Sequence, residues 1–287
     1  MSSSVKLSIA TNTAIALSKG FGWFVTASPT LFAETVHSLA DVGNQILLLV
    51  GEVRSHRGPD RVHPFGRGQE SYFWALVSAV SVFFVGCGIN LYHGVHALLS
   101  PEAVEPFGVL VLGLLLFALV LESFTFMTAW RELGGMRALR GNLTNTAVLA
   151  VLLEDAVALI GIVLTLIVAG VSYWLGPRPV FDAVVAIAVG VLLGVMALFL
   201  AALNRRLLID TSDQALDRAA EAWLQERGIQ AEVRSLIIDN ARAIVFVRAD
   251  GEVAHSVAVG DALKQHLAKA SPRNPEAVYW KFKRALG

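Results

Sequence analysis

The chain has 287 residues, of which 55% are hydrophobic and 16% charged, and its 23 Lys plus Arg balance its 23 Asp plus Glu. With a mean hydropathy of +0.61, that composition excludes an ordinary soluble domain of this length, and its net charge of zero gives nucleic acid nothing to grip. The single cysteine, Cys87, lies in an apolar run, which excludes an intramolecular disulfide or a thiolate metal cluster and reads as a small core residue.

Met1 to Ser4 is too short and uncharged for a secretion signal. Six largely apolar runs follow, each long enough for a membrane-spanning helix: Val5 to Val25, Leu31 to Val50, Tyr72 to Leu98, Phe107 to Trp130, Thr146 to Val171 and Val180 to Leu203. Arg54, Arg57, Arg61 and Arg67 follow the second run, Arg131, Arg137 and Arg140 the fourth, and Arg205 and Arg206 the sixth, whereas the alternate loops are poor in positive charge. By the positive-inside rule both termini are then cytoplasmic. Gly190 and Gly194 in the sixth run form a small-xxx-small pair that lets helices approach closely.

After Arg206 the chain changes to a soluble pattern. Asp213 to Gln225 reads as an amphipathic helix, Glu232 to Asp239 and Ala243 to Asp250 as strands, Val257 to Ala268 as a helix and Ala277 to Phe282 as a last strand. The expected fold is thus an α-helical membrane protein with a six-helix domain over residues 1–206, followed by a small cytoplasmic α+β domain of ferredoxin-like αββαβ order over 207–287. The only histidines of this tail are His255 and His266, so a structural or dimerising role is expected there rather than metal binding.

Glu34, His37, Asp41 and Asn44 recur at steps of three, four and three and so share one stripe of the second helix. Ionisable groups within a membrane span are costly and mark an ion pathway. In the fifth helix Glu154 and Asp155 lie well inside VLAVLLEDAVALIG, and adjacent residues point about 100° apart, so one can face the second helix and the other a neighbour. Glu122 in the fourth helix is a candidate proton carrier or outer ligand, with Lys19 a possible partner. His37, Asp41 and Asp155 offer an imidazole and two carboxylates, a set that takes zinc if a fourth ligand or water joins and disfavours copper(I).

The stretch ETVHSLADVGNQ, the loop PDRVHPFGRGQESYFWAL, the EDAVALIG of the fifth helix and the αββαβ tail resemble the cation diffusion facilitator family of divalent metal/proton exchangers. The resemblance implies a homodimeric six-helix transporter in a lipid bilayer, with no prosthetic group, whose second and fifth helices form the transport site and whose proton entry drives metal out of the cytoplasm. His37, Asp41 and Asp155 match three of the family's ligands, but the fourth position falls on Val151. The missing donor is then Glu154, Asn44, Glu34, Glu122 or water, and added oxygen donors leave manganese, iron or cobalt open beside zinc. Asp60 and His63 match a second, loop metal site of some members, yet Arg67 stands where a further histidine would be, which favours loop architecture. A metal-dependent intramembrane enzyme or receptor is the alternative, although no HExxH pattern occurs. The host membrane is expected to be a bacterial inner membrane. Because imidazole ordinarily titrates near 6.5, metal and protons are expected to compete at His37.

Overall fold

The computed structural model describes residues 3–26, 29–100, 108–135, 145–176, 178–209, 211–239, 241–249, 253, 255–270 and 273–282. The side chains of Glu34, His37 and Asp182 are outside the described set, as are Arg137, Arg140 and the turn at Asp250 and Gly251. The chain divides into two compact units, Met1–Val53 with Ser71–Asn204, and Arg54–Glu70 with Arg205–Gly287. The loop after the second helix therefore belongs to the unit that contains the sheet, not to the helical one with which the sequence grouped it.

Helices α1 (Ser3–Thr26), α2 (Pro29–Ser55), α3 (Glu70–Leu99), α4 (Val109–Leu133), α5 (Thr146–Leu175) and α6 (Pro179–Leu208) account for the six apolar runs. Among the described residues α3, α4, α5 and most of α6 are long and apolar enough to cross a membrane. The ends are set locally. Asn145 caps α5 by accepting from the Val148 amide at 3.4 Å, and Gly134 ends α4 in the left-handed region (φ 86°), its N–H donating to Arg131 O.

The first turns of α5 are buried all round, Val148 through Leu152 being 3% exposed or less, as expected of a helix that is apolar on every face and surrounded by others. Helices α1 and α4 both pack against it. Glycines bring α3 and α6 together. A Cβ on Gly94 would lie 2.6 Å from Ile187 Cγ1 and 2.9 Å from Ala183 O, and one on Gly194 would lie 2.9 Å from Cys87 Sγ, so the expected small-residue packing reaches from Gly190 and Gly194 to Gly94 on the partner helix.

One turn of α3, Val82–Cys87, is π-helical, with the Gly88 N–H reaching back to Phe83 O. The buried positions of α3 before it are Tyr72, Ala75, Ser78 and Ala79, and within it Val82 at its start and Cys87 at its end. That step of five, where an α-helix steps by three or four, marks one extra residue taken up by the wide turn.

In the second unit α7 (Gln214–Gln225), β1 (Ala231–Ile237), β2 (Arg242–Ala249), α8 (Ser256–Ala270) and β3 (Asn274–Phe282) follow in the expected αββαβ order. The sheet order is β1-β2-β3, with β1 antiparallel to β2 and β2 parallel to β3 across the α8 crossover. Leu216, Ala220 and Leu224 of α7 and Leu263 and Leu267 of α8 cover Val233, Val245 and Val247. Arg273, 1% exposed, donates to Asp213, which also caps α7 through the Ala215 and Leu216 amides. The loop Arg54–Glu70 approaches the β1–β2 end so closely that a Cβ on Gly68 would sit 2.7 Å from Asp239 Cβ.

Candidate transport site

A cavity of about 30 Å³ is lined by Asn12 of α1, Asp41 of α2, Glu122 of α4, Glu154 and Asp155 of α5, and apolar side chains of α5 and α6. That is room for a water or a small ion, not for an organic cation. Asp155 is 1% exposed, Glu154 and Glu122 8% each. The two adjacent acids diverge. Glu154 turns to α2, where the Asn44 side-chain amide donates to its Oε1, while Asp155 turns to α4 and faces Thr125 and Glu122. Asn44 is held in turn by the Ser78 hydroxyl of α3, which donates to Asn44 Oδ1 at 2.6 Å. Asn44 thus positions Glu154, its own oxygen already occupied.

Glu154 Oε2, Asp155 Oδ2 and Glu122 Oε2 are buried with no hydrogen-bond partner among the described residues. Asp41 acts electrostatically on all three acids, and Lys19 on Glu122. The Lys19 ammonium is itself anchored on Ser38 Oγ at 3.2 Å. Carboxylates gathered out of water with one neighbouring ammonium form a site that draws cations. No group of three His, Cys, Asp or Glu side chains stands ready to hold a metal among the described residues. The side chains of His37 and Glu34 lie outside those residues.

Val151, one turn before Asp155 on α5, is fully buried in the apolar core and offers no donor. In the loop, Asp60 Oδ1 accepts from the Val62 and His63 amides at 2.8 and 2.6 Å, its Oδ2 accepts from Arg67 at 3.0 Å, and the His63 ring lies 3.1 Å away. These backbone N–H groups, with the Arg67 guanidinium, hold the Asp60 carboxyl well below the usual carboxylate range. Its oxygens serve the loop.

Sequence reasoning missed Asn12, Ser78 and Thr125. Ser78 sits among small apolar residues in ALVSAVS, where nothing marks it, whereas Thr125 lies three residues after Glu122 on the same helical face.

The model of the cation efflux transmembrane domain matches residues 5–209. The chain belongs to the cation diffusion facilitator family. The family consists of transporters rather than enzymes, and the chain is a helical, multi-pass membrane protein with a small C-terminal sheet domain.

The chain is 33% identical over 204 residues to the mouse (Mus musculus) "Proton-coupled zinc antiporter SLC30A9, mitochondrial", an alignment that takes in 68% of this chain and 36% of that protein. To the Arabidopsis thaliana "Metal tolerance protein C4" it is 32% identical over 198 residues, 65% of this chain and 42% of that one. A magnetosome protein, MamM of Paramagnetospirillum magneticum, is 32% identical over 95 residues, 33% of this chain and 29% of that one. The chain spans well under half the length of these curated relatives.

Proposed function

We propose that this protein moves a divalent metal cation across a membrane in exchange for protons, with six spans, both termini on the cytoplasmic side, and a homodimer as the working unit. The observation that carries this reading is the cavity in which Asp41, Glu122, Glu154 and Asp155 converge from three helices, the last three each with one buried carboxylate oxygen that has no hydrogen-bond partner among the described residues. Oxygen-rich sites of this kind take up either a metal ion or protons, and occupancy by one opposes the other.

His37 and Asp41 of α2 and Asp155 of α5 are the proposed ligands. Glu154, oriented by Asn44, is the proposed substitute for the donor missing at Val151, and Glu34 and Glu122 are outer groups of the same pathway. Zinc is the first candidate substrate, supported by the imidazole and by the names of the relatives; manganese, iron and cobalt fit the oxygen donors. Asp60 and His63 are proposed as loop architecture, and the C-terminal domain, 207–287, as a structural, dimerising part.

The test is metal uptake into liposomes under an imposed pH gradient. Wild-type protein should accumulate Zn2+ against its gradient, and Asp41→Ala or Asp155→Ala should abolish uptake while the protein elutes as the wild type does. Uptake at the wild-type rate in either variant refutes the site.

A further inference from the structure

Helix α1 buries Ser4, Ser8 and Asn12, which share one stripe at steps of four, and α4 buries Glu122, Thr125 and Ala129 on the stripe that ends at Glu132. The two helices pack against each other. At one end the Ser4 N–H donates to Glu132 Oε2 at 2.8 Å, and at the other Asn12 and Glu122 both line the cavity. About 12 Å of α1 and about 15 Å of α4, at 1.5 Å rise per residue, separate those ends.

The hydroxyls along α1 behave in two ways. Thr11, Thr13 and Ser18 donate to carbonyls of their own helix, the usual outlet for a hydroxyl inside a helix. Ser4 Oγ and Ser8 Oγ do not. They are 1% and 0% exposed as residues and have no partner among the described residues, a state that water normally relieves by bridging such groups.

We propose that the α1–α4 seam holds a file of water running from Glu132 past Ser4 and Ser8 to Asn12 and the cavity, and that it conducts protons and not metal. Hydroxyls and one carboxylate between close-packed helices cannot replace the ligands a divalent ion sheds, whereas a proton passes along hydrogen-bonded water without dehydration. Such a route lets protons displaced by metal leave by a way the incoming metal does not block. The use of the file rests on the antiport reading; its existence does not.

The seam is tested with full-length protein in liposomes. In a Cys87→Ala background, Ser8→Cys is exposed to silver ions, and protection from later maleimide labelling under denaturing conditions is scored. Native Cys87, which is buried in the apolar core, serves as the dry reference in the wild type. Ser8→Cys should be protected about tenfold faster than Cys87 or more, and Ser8→Leu should bind Zn2+ as the wild type does while its metal-driven proton release slows about tenfold. Protection no faster than at Cys87 overturns the proposal, as does wild-type proton release by a folded Ser8→Leu protein. Where Ser8→Leu does not fold, or where the wild type moves no metal, the labelling result decides alone.

Discussion

Asn44 donates its side-chain amide to Glu154 and so fixes one carboxylate oxygen of that residue, while the other has no partner among the described residues. The link is extended by Ser78, whose hydroxyl donates to the Asn44 oxygen. Three helices therefore orient one acid.

Replacing Asn44 by Ala leaves both Glu154 and Ser78 without their buried partner, at an expected cost of about 1–3 kcal/mol. Ser78→Ala removes only the outer bond and should cost about 1 kcal/mol. Thermal unfolding in detergent measures both, and Zn2+ uptake should fall further in Asn44→Ala than in Ser78→Ala. Equal effects of the two substitutions would show that Asn44 does not act through Glu154.

The glycine contacts of α3 and α6 predict a steric effect. Gly94→Val places a Cβ where Ile187 and the Ala183 carbonyl already stand, and should destabilise the helical unit by about 1–3 kcal/mol, as overpacking of a filled interface does. Gly113→Val, on α4, where an added Cβ meets nothing within 4 Å, is the control. Melting of the two variants side by side checks the difference.

Arg273 and Asp213 form a buried pair sixty residues apart in sequence. Removing one partner strands the other charge, so Arg273→Met should destabilise the sheet unit by about 3–5 kcal/mol. Asp213→Asn keeps an acceptor at the start of α7 and should cost less. Amide exchange at α7 and β1 reads the difference, and protection unchanged in Arg273→Met would refute the pair's role.

The Asp60 loop carries a pH prediction. Because its folded-state pKa is lowered, Asp60 contributes order above the ordinary carboxylate value near 3.9 and loses it only as pH falls through the lower folded value. Amide exchange of Val62 and His63 should therefore show no pH-linked loosening between about pH 5 and 8 beyond the chemical rate. Asp60→Ala should loosen both amides throughout that range. A pH-linked loosening of the wild-type loop within that range would refute the assignment to Asp60.

The helical segments and the αββαβ order were legible because period and polarity are local: each apolar run survives as a helix, and the alternating stretches survive as β1 and β2. The acids were legible because charge inside an apolar run is conspicuous. What could not be read is pairing at a distance. Nothing in ALVSAVS distinguishes Ser78 as the holder of Asn44, and nothing near Arg273 points sixty residues back to Asp213. The loop from Arg54 to Glu70 reads as a turn between two spans, yet its Gly68 packs against Asp239, a close approach that only the folded chain displays.

The wide turn at Val82–Cys87 bears on how this chain compares with others of its kind. An ungapped pairing with a third helix that lacks the turn stays in phase as far as Val82 and is then displaced by one position, about 100° of rotation. Beyond it, Gly86, Asn90 and Gly94 would be matched to residues on the wrong face, and the close contacts of Gly94 with Ile187 would be ascribed to a neighbour. A single-residue gap placed inside the membrane span, where gaps are ordinarily refused, restores the correspondence.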